Sequence, residues 1–89
     1  MAAIIVEKLS EEEINKRGVR QWPSMKKGKS NFLWLYDEME ECLIVEGMAK
    51  IKTSEGIVEI KAGDFVTFPE GMKCKWDIIS PIEKYYKAY

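Results

Sequence analysis

From Phe32 onward the chain is built of short stretches of β-branched and aromatic residues, cut every few positions by Gly, Pro, Asp or Ser. No apolar repeat of helical period runs long enough there to bury one face of a helix. A chain of this kind folds as a sandwich or barrel of short strands. Seven strands are expected, at Asn31 to Tyr36, Glu41 to Glu46, Ala49 to Thr53, Ile57 to Lys61, Phe65 to Phe68, Lys73 to Ile79 and Lys84 to Ala88. The turns read as clearly, with Ser54-Glu55-Gly56 joining one hairpin and corners at Lys61-Ala62-Gly63-Asp64 and Pro69-Glu70-Gly71. At the first of these corners Asp64 is suited to accept backbone N–H bonds.

Alternation assigns faces. Cys74, Trp76 and Ile78 share one side of their strand while Lys73, Lys75 and Asp77 take the other, so Cys74 is expected to point inward. Phe32, Trp34 and Tyr36 also share a face. Because Leu33 and Leu35 opposite them are apolar too, that strand is expected to be covered on both sides, with the N-terminal arm as the cover.

Residues 1–30 differ from the rest and are expected to form an arm packed on a barrel of residues 31–89, one domain in all. After an apolar start at 1–6, Ser10 followed by Glu13 fits a capping box, which predicts a short helix over Glu11 to Arg17 closed by Gly18. Trp22-Pro23 demands an extended backbone at Trp22. The charged runs Glu11 to Glu13 and Met25 to Lys29 read as solvated faces. The closing Tyr85-Tyr86-Lys87-Ala88-Tyr89 reads as a last strand or a self-association surface.

The chain of 89 residues carries 14 Lys and Arg against 15 Asp and Glu, a balance that lacks the basic footprint of a nucleic-acid or anionic-membrane binder. It has no histidine, which removes the commonest general base and the commonest metal ligand. A Ser-His-Asp or Cys-His arrangement is thereby excluded. The two cysteines, Cys42 and Cys74, form no CxxC, and a structural zinc site would need further ligands from carboxylates alone. Acidic residues in MAAIIVEKLSEEE interrupt any signal-like apolar core, and no apolar run approaches the ~20 residues of a membrane span. A reduced, cytoplasmic protein without a membrane segment is expected.

Two stretches carry a family likeness. Glu40-(X)6-Gly47 and Gly63-(X)5-Pro69-X-Gly71 match, by residue and spacing, the signature motifs G(X)5HXH(X)3-4E(X)6G and G(X)5PXG(X)2H(X)3N of the cupin superfamily. The chain resembles in particular the small single-domain branch grouped with ureidoglycine aminohydrolase and the ethanolamine-utilisation-type cupins (DUF861, Cupin_3). That resemblance implies a mainly β, double-stranded β-helix of the RmlC-like jelly-roll kind. It departs from the motifs where the metal ligands belong: Trp34 and Tyr36 stand at the first two histidines, Cys74 at the third and Ile78 at the asparagine. Only Glu40 remains, so no metal and no cofactor is expected. An indole has no lone pair to donate, and a neutral phenol is a poor ligand.

The side chains at those positions define a candidate pocket of Trp34, Tyr36, Glu40, Cys74 and Trp76. In it Glu40 is a candidate acid or base, Tyr36 a hydrogen-bond donor and Cys74 a nucleophile. The same residues admit a structural reading, with the aromatics and the thiol as core filling and Glu40 as a strut bonded to a tyrosine, a lysine or a backbone amide. Three functions follow: metal-independent acid/base chemistry on a small polar metabolite, a non-catalytic binding or sensing module, or a structural barrel that dimerises through its sheets. A small-molecule ligand is expected in the first two, and the state is a monomer or a homodimer.

Overall fold

The computed structural model describes residues 3–89; Met1 and Ala2 of the apolar start lie outside the described residues. Strand β1 (Ile5–Glu7) is followed by helix α1 (Glu11–Arg17), a 3-10 turn (Val19–Gln21), β2 (Ser24–Lys27), β3 (Ser30–Leu35), β4 (Glu40–Thr53), β5 (Gly56–Lys61), β6 (Phe65–Phe68) and β7 (Lys73–Ala88). All strand pairs are antiparallel. No helix among the described residues is long and apolar enough to cross a membrane.

The helix obeys its local code. The Glu13 N–H donates to Ser10 Oγ at 3.1 Å, and the Gly18 N–H closes the other end on Asn15 O at 3.1 Å. Arg17 bonds Glu13 one turn back at 3.0 Å, an i,i+4 pair.

Four expected strands merge into two. The segments on either side of Gly47 are one strand, β4, and those on either side of Pro81 are one strand, β7. The two pair along almost their whole length, with register shifts between Ile44 and Ala49 where the ladder bulges. Gly47 has φ +93°, and a Cβ there would lie 2.0 Å from the carbonyl oxygen of Pro81, so only glycine lets the strands cross at this bend. Pro81 is tolerated because it has no ladder partner to lose.

The bend folds one sheet onto itself. On one side run β1, β6, the first half of β4, the second half of β7 and β2; on the other run β3, the first half of β7, the second half of β4 and β5. Cys42, Ile44, Val66, Phe68 and Ile82 from the first layer pack against Ala49, Ile51, Ile60, Trp76 and Ile78 from the second, all buried. This arrangement is the expected jelly-roll barrel.

The N-terminal segment covers the first layer. Ile14 and Val19 are buried with Leu43 and Phe65, and Leu9, Trp22 and Tyr85 pack around them. The expectation that the arm also covers β3 is overturned: Leu33 is 81% exposed and Leu35 47%. Their apolar character reflected an uncovered outer face and not burial. The segment is also more than an arm, since β1 adds to β6 and β2 to β7 as outer strands. Asp64 caps its corner as expected, accepting the Lys61 N–H at 2.9 Å, and it is also paired with Lys8 at 2.7 Å.

Candidate functional site

Alternation along β7, interrupted only at the bend where Ser80 is exposed, places Trp76, Ile78, Ile82, Lys84 and Tyr86 on the inner face. At the end of the barrel where β2 and β3 flank this line, a cavity of about 550 Å³ opens. Aromatic rings form its walls. Phe32 and Trp76 are stacked, with centroids 6.1 Å apart and planes 5° from parallel, and Tyr36 stacks on Phe68 at 4.5 Å.

The polar groups converge on Trp76. Its Nε1–H donates to Tyr36 Oη at 3.1 Å, and the Lys84 ammonium sits 4.8 Å above its ring. Lys84 Nζ donates to Glu40 Oε2 at 3.1 Å, with the lysine side chain 8% exposed and the glutamate 15%. Glu40 enters from the first residue of β4, in register with Phe68 and Ala88. It is thus bonded to a lysine, one of the partners its inward position demanded.

Tyr36 is held by its own backbone, its N–H donating to Met72 O at 2.9 Å and its O accepting the Gly71 N–H at 2.7 Å. Burial, helped by the Glu40 charge, pushes its phenol far above the ordinary range, so it remains a neutral donor.

The structure brings together Tyr36, Glu40 and Trp76 as the sequence predicted. Trp34 borders the same cavity but is 52% exposed, packed edge-on against Phe32 and Tyr36 at 6.4 Å each. It stands at the mouth and not in the interior, because β3 is an edge strand there. Cys74 is buried and points inward, yet it does not border the cavity. Burial raises its thiol to about 11 against an opposing effect of Lys84, and raises Cys42 to about 12, so both are thiols at neutral pH.

Lys84, Lys27, Met25 and Phe32 also line the cavity and were not among the sequence candidates. The signal for Lys84 was the even-numbered alternation begun at Cys74, which Ser80-Pro81 disguised as two strands. Met25 and Lys27 belong to the run read as solvated. The lysines of that run are exposed as expected, but strand β2 also pairs with β7, and Lys27 Nζ lies 5.0 Å over the Phe32 ring.

The EutQ-like cupin domain profile matches residues 14–86, most of the chain. The protein belongs to the EutQ-like cupin family. A DUF861-family protein of Thermotoga maritima is 36% identical and superposes with a TM-score of 0.95, over 98% of this chain and all of that one. A putative ethanolamine utilization protein, EutQ, of Salmonella typhimurium is 17% identical with a TM-score of 0.68, over 99% of this chain and 70% of that one. The EutQ protein of Clostridium difficile is 16% identical with a TM-score of 0.69, over 97% of this chain and 67% of that one. The last two are likenesses of fold. No curated protein matches in sequence.

In this EutQ-like cupin the positions of the customary metal cage offer a poor donor set. Trp34 has no lone pair, Tyr36 is protonated and accepts from Trp76, Cys74 is a thiol, and Glu40 is engaged by Lys84. Among the described residues no group of three or more His, Cys, Asp or Glu is gathered. The residues do not fit a transition metal.

Proposed function

We propose that this cupin binds a small polar metabolite in the cavity at its barrel mouth, with Glu40 and Lys84 as the reactive groups of the site and without an intrinsic metal. The observation that carries this reading is a buried ion pair bordering an aromatic-walled cavity of about 550 Å³, within the ~300–1,000 Å³ range of small-molecule sites. Solid barrels do not need such a pair, since burying two charges offers little net stability over apolar packing. Glu40 and Tyr36 both line that cavity, which supports proton exchange with a bound group for the first and donation to an oxygen on it for the second. Two free, buried thiols suit a reducing compartment such as the cytoplasm.

The test is a metabolite screen read by tryptophan fluorescence. A hit should be saturable and quenched through Trp76. Turnover of the hit that Glu40→Gln abolishes marks an enzyme, binding without turnover marks a sensing module, and no saturable hit removes the pocket reading. About one equivalent of transition metal in untagged protein would overturn its metal-independence.

A second reading, an interaction barrel, has its own support on the opposite side of β3. Leu33, Leu35 and Ile57 are exposed there beside Lys52, Lys73 and Lys75. A concentration-dependent dimer that Leu33→Lys dissolves would favour it.

A further inference from the structure

The donors and charges around the cavity are not balanced. An ammonium has three N–H groups. Among the described residues Lys84 Nζ finds one hydrogen-bond acceptor, Glu40 Oε2; it also lies over the faces of Trp76 at 4.8 Å and Tyr86 at 6.0 Å. The Tyr36 hydroxyl accepts from Trp76, which leaves its own hydrogen free to donate. Two ammonium groups, Lys84 at depth and Lys27 at the exposed rim, border the cavity against the single carboxylate of Glu40, a net charge of +1.

Spare N–H and O–H donors with an excess positive charge call for an acceptor-rich anion. The walls call for something flat: Phe32 and Trp76 present stacked rings with planes within 5° of parallel, and Trp34 stands edge-on beside Phe32 at the mouth. We infer that the ligand is a monocarboxylate carried on a flat, ring-like body, its carboxylate held by Lys84 and its ring laid along the Phe32 and Trp76 wall. This deepens the small-molecule reading above and rests on it. Glu40 then has a positioning role toward the ligand, fixing the Lys84 ammonium so that its other two N–H groups face the cavity. The exposed Lys27 adds attraction at the entrance and little of the hold.

The test uses matched probes on the whole protein. Phenylacetate and benzoate, their neutral amides, and benzylamine are titrated while the indole N–H resonance of Trp76 is followed by NMR. The carboxylates should shift it saturably and bind at least about tenfold more tightly than the amides, the equivalent of one charge-assisted hydrogen bond. Benzylamine should not bind. Lys84→Met alone leaves Glu40 unpaired and can unfold the chain, so the decisive variant is Glu40→Gln with Lys84→Met, which removes both charges together. It should bind acids and amides alike.

Amides binding as tightly as acids, or benzylamine binding best, would overturn the carboxylate inference and leave a small-molecule pocket standing. Retention of the acid preference in the double variant would overturn the role of Lys84. The absence of any Trp76 response to every probe would overturn both the inference and the pocket.

Discussion

Lys84 and Glu40, 44 residues apart in the chain, meet at 3.1 Å inside the barrel, and neither side chain is more than 15% exposed. Removing one partner leaves the other charge buried. Lys84→Met should therefore cost about 3 kcal/mol, whereas Glu40→Gln with Lys84→Met should recover most of that loss or exceed wild-type stability. Urea denaturation of the two singles and the double measures the coupling. A single-variant cost below about 1 kcal/mol would mean that water reaches the pair.

The crossing of β4 and β7 is steric. Gly47→Ala would drive a Cβ to 2.0 Å from a backbone oxygen at φ +93°, and nothing flexible stands there to yield. A loss of at least about 3 kcal/mol is expected. Gly28→Ala meets nothing within 4 Å and should change stability by less than about 1 kcal/mol. Thermal melts of both variants check the contrast.

Neighbouring residues of β7 should respond oppositely to the same new charge. Cys74 is buried on the inner face and Lys75 exposed on the outer one. Cys74→Asp buries an unpaired carboxylate and should cost more than about 3 kcal/mol, while Lys75→Asp should stay within about 0.5 kcal/mol. Equal melting temperatures would reverse the facing of the strand.

The two thiols make stability fall in alkali. In the folded chain burial holds Cys42 at about 12 and Cys74 at about 11, against an ordinary 9.0. A raised acid keeps its proton longest in the native state, so the contribution is complete below pH 9 and is lost as pH climbs, up to about 11 for Cys74 and about 12 for Cys42. The urea midpoint should drop between pH 9 and 10.5, and Cys74→Ala should flatten the drop. At pH 8, iodoacetamide should label both thiols slowly in native protein and quickly in urea.

Local chemistry was legible wherever a short motif determined the geometry. Ser10 with Glu13 set the helix start, Gly18 its end, Ser54-Glu55 the hairpin and Asp64 the corner, each through bonds spanning a few residues. Strand facing at Cys74, Trp76 and Ile78 was legible for the same reason, since period two needs no tertiary information. What escaped depended on partners distant in sequence. Ser80-Pro81 looked like a break because the missing N–H is harmless only at the bend opposite Gly47. Leu33 and Leu35 looked buried because apolar character does not say whether a cover arrives. Lys84 was not among the candidates because a lysine rarely points inward; its burial follows from Glu40, which no local window contains.

All seven strands among the described residues depend on the union of β4 with β7: those two themselves, β2 and β3 on β7, β5 and β6 on β4, and β1 through β6. Residues 40–53 must wait for 73–88 to arrive before any continuous wall exists. Nucleation is consequently topology-limited: refolding should be a single slow exponential in the millisecond-to-second range, and swift assembly from local hairpins is closed to this chain.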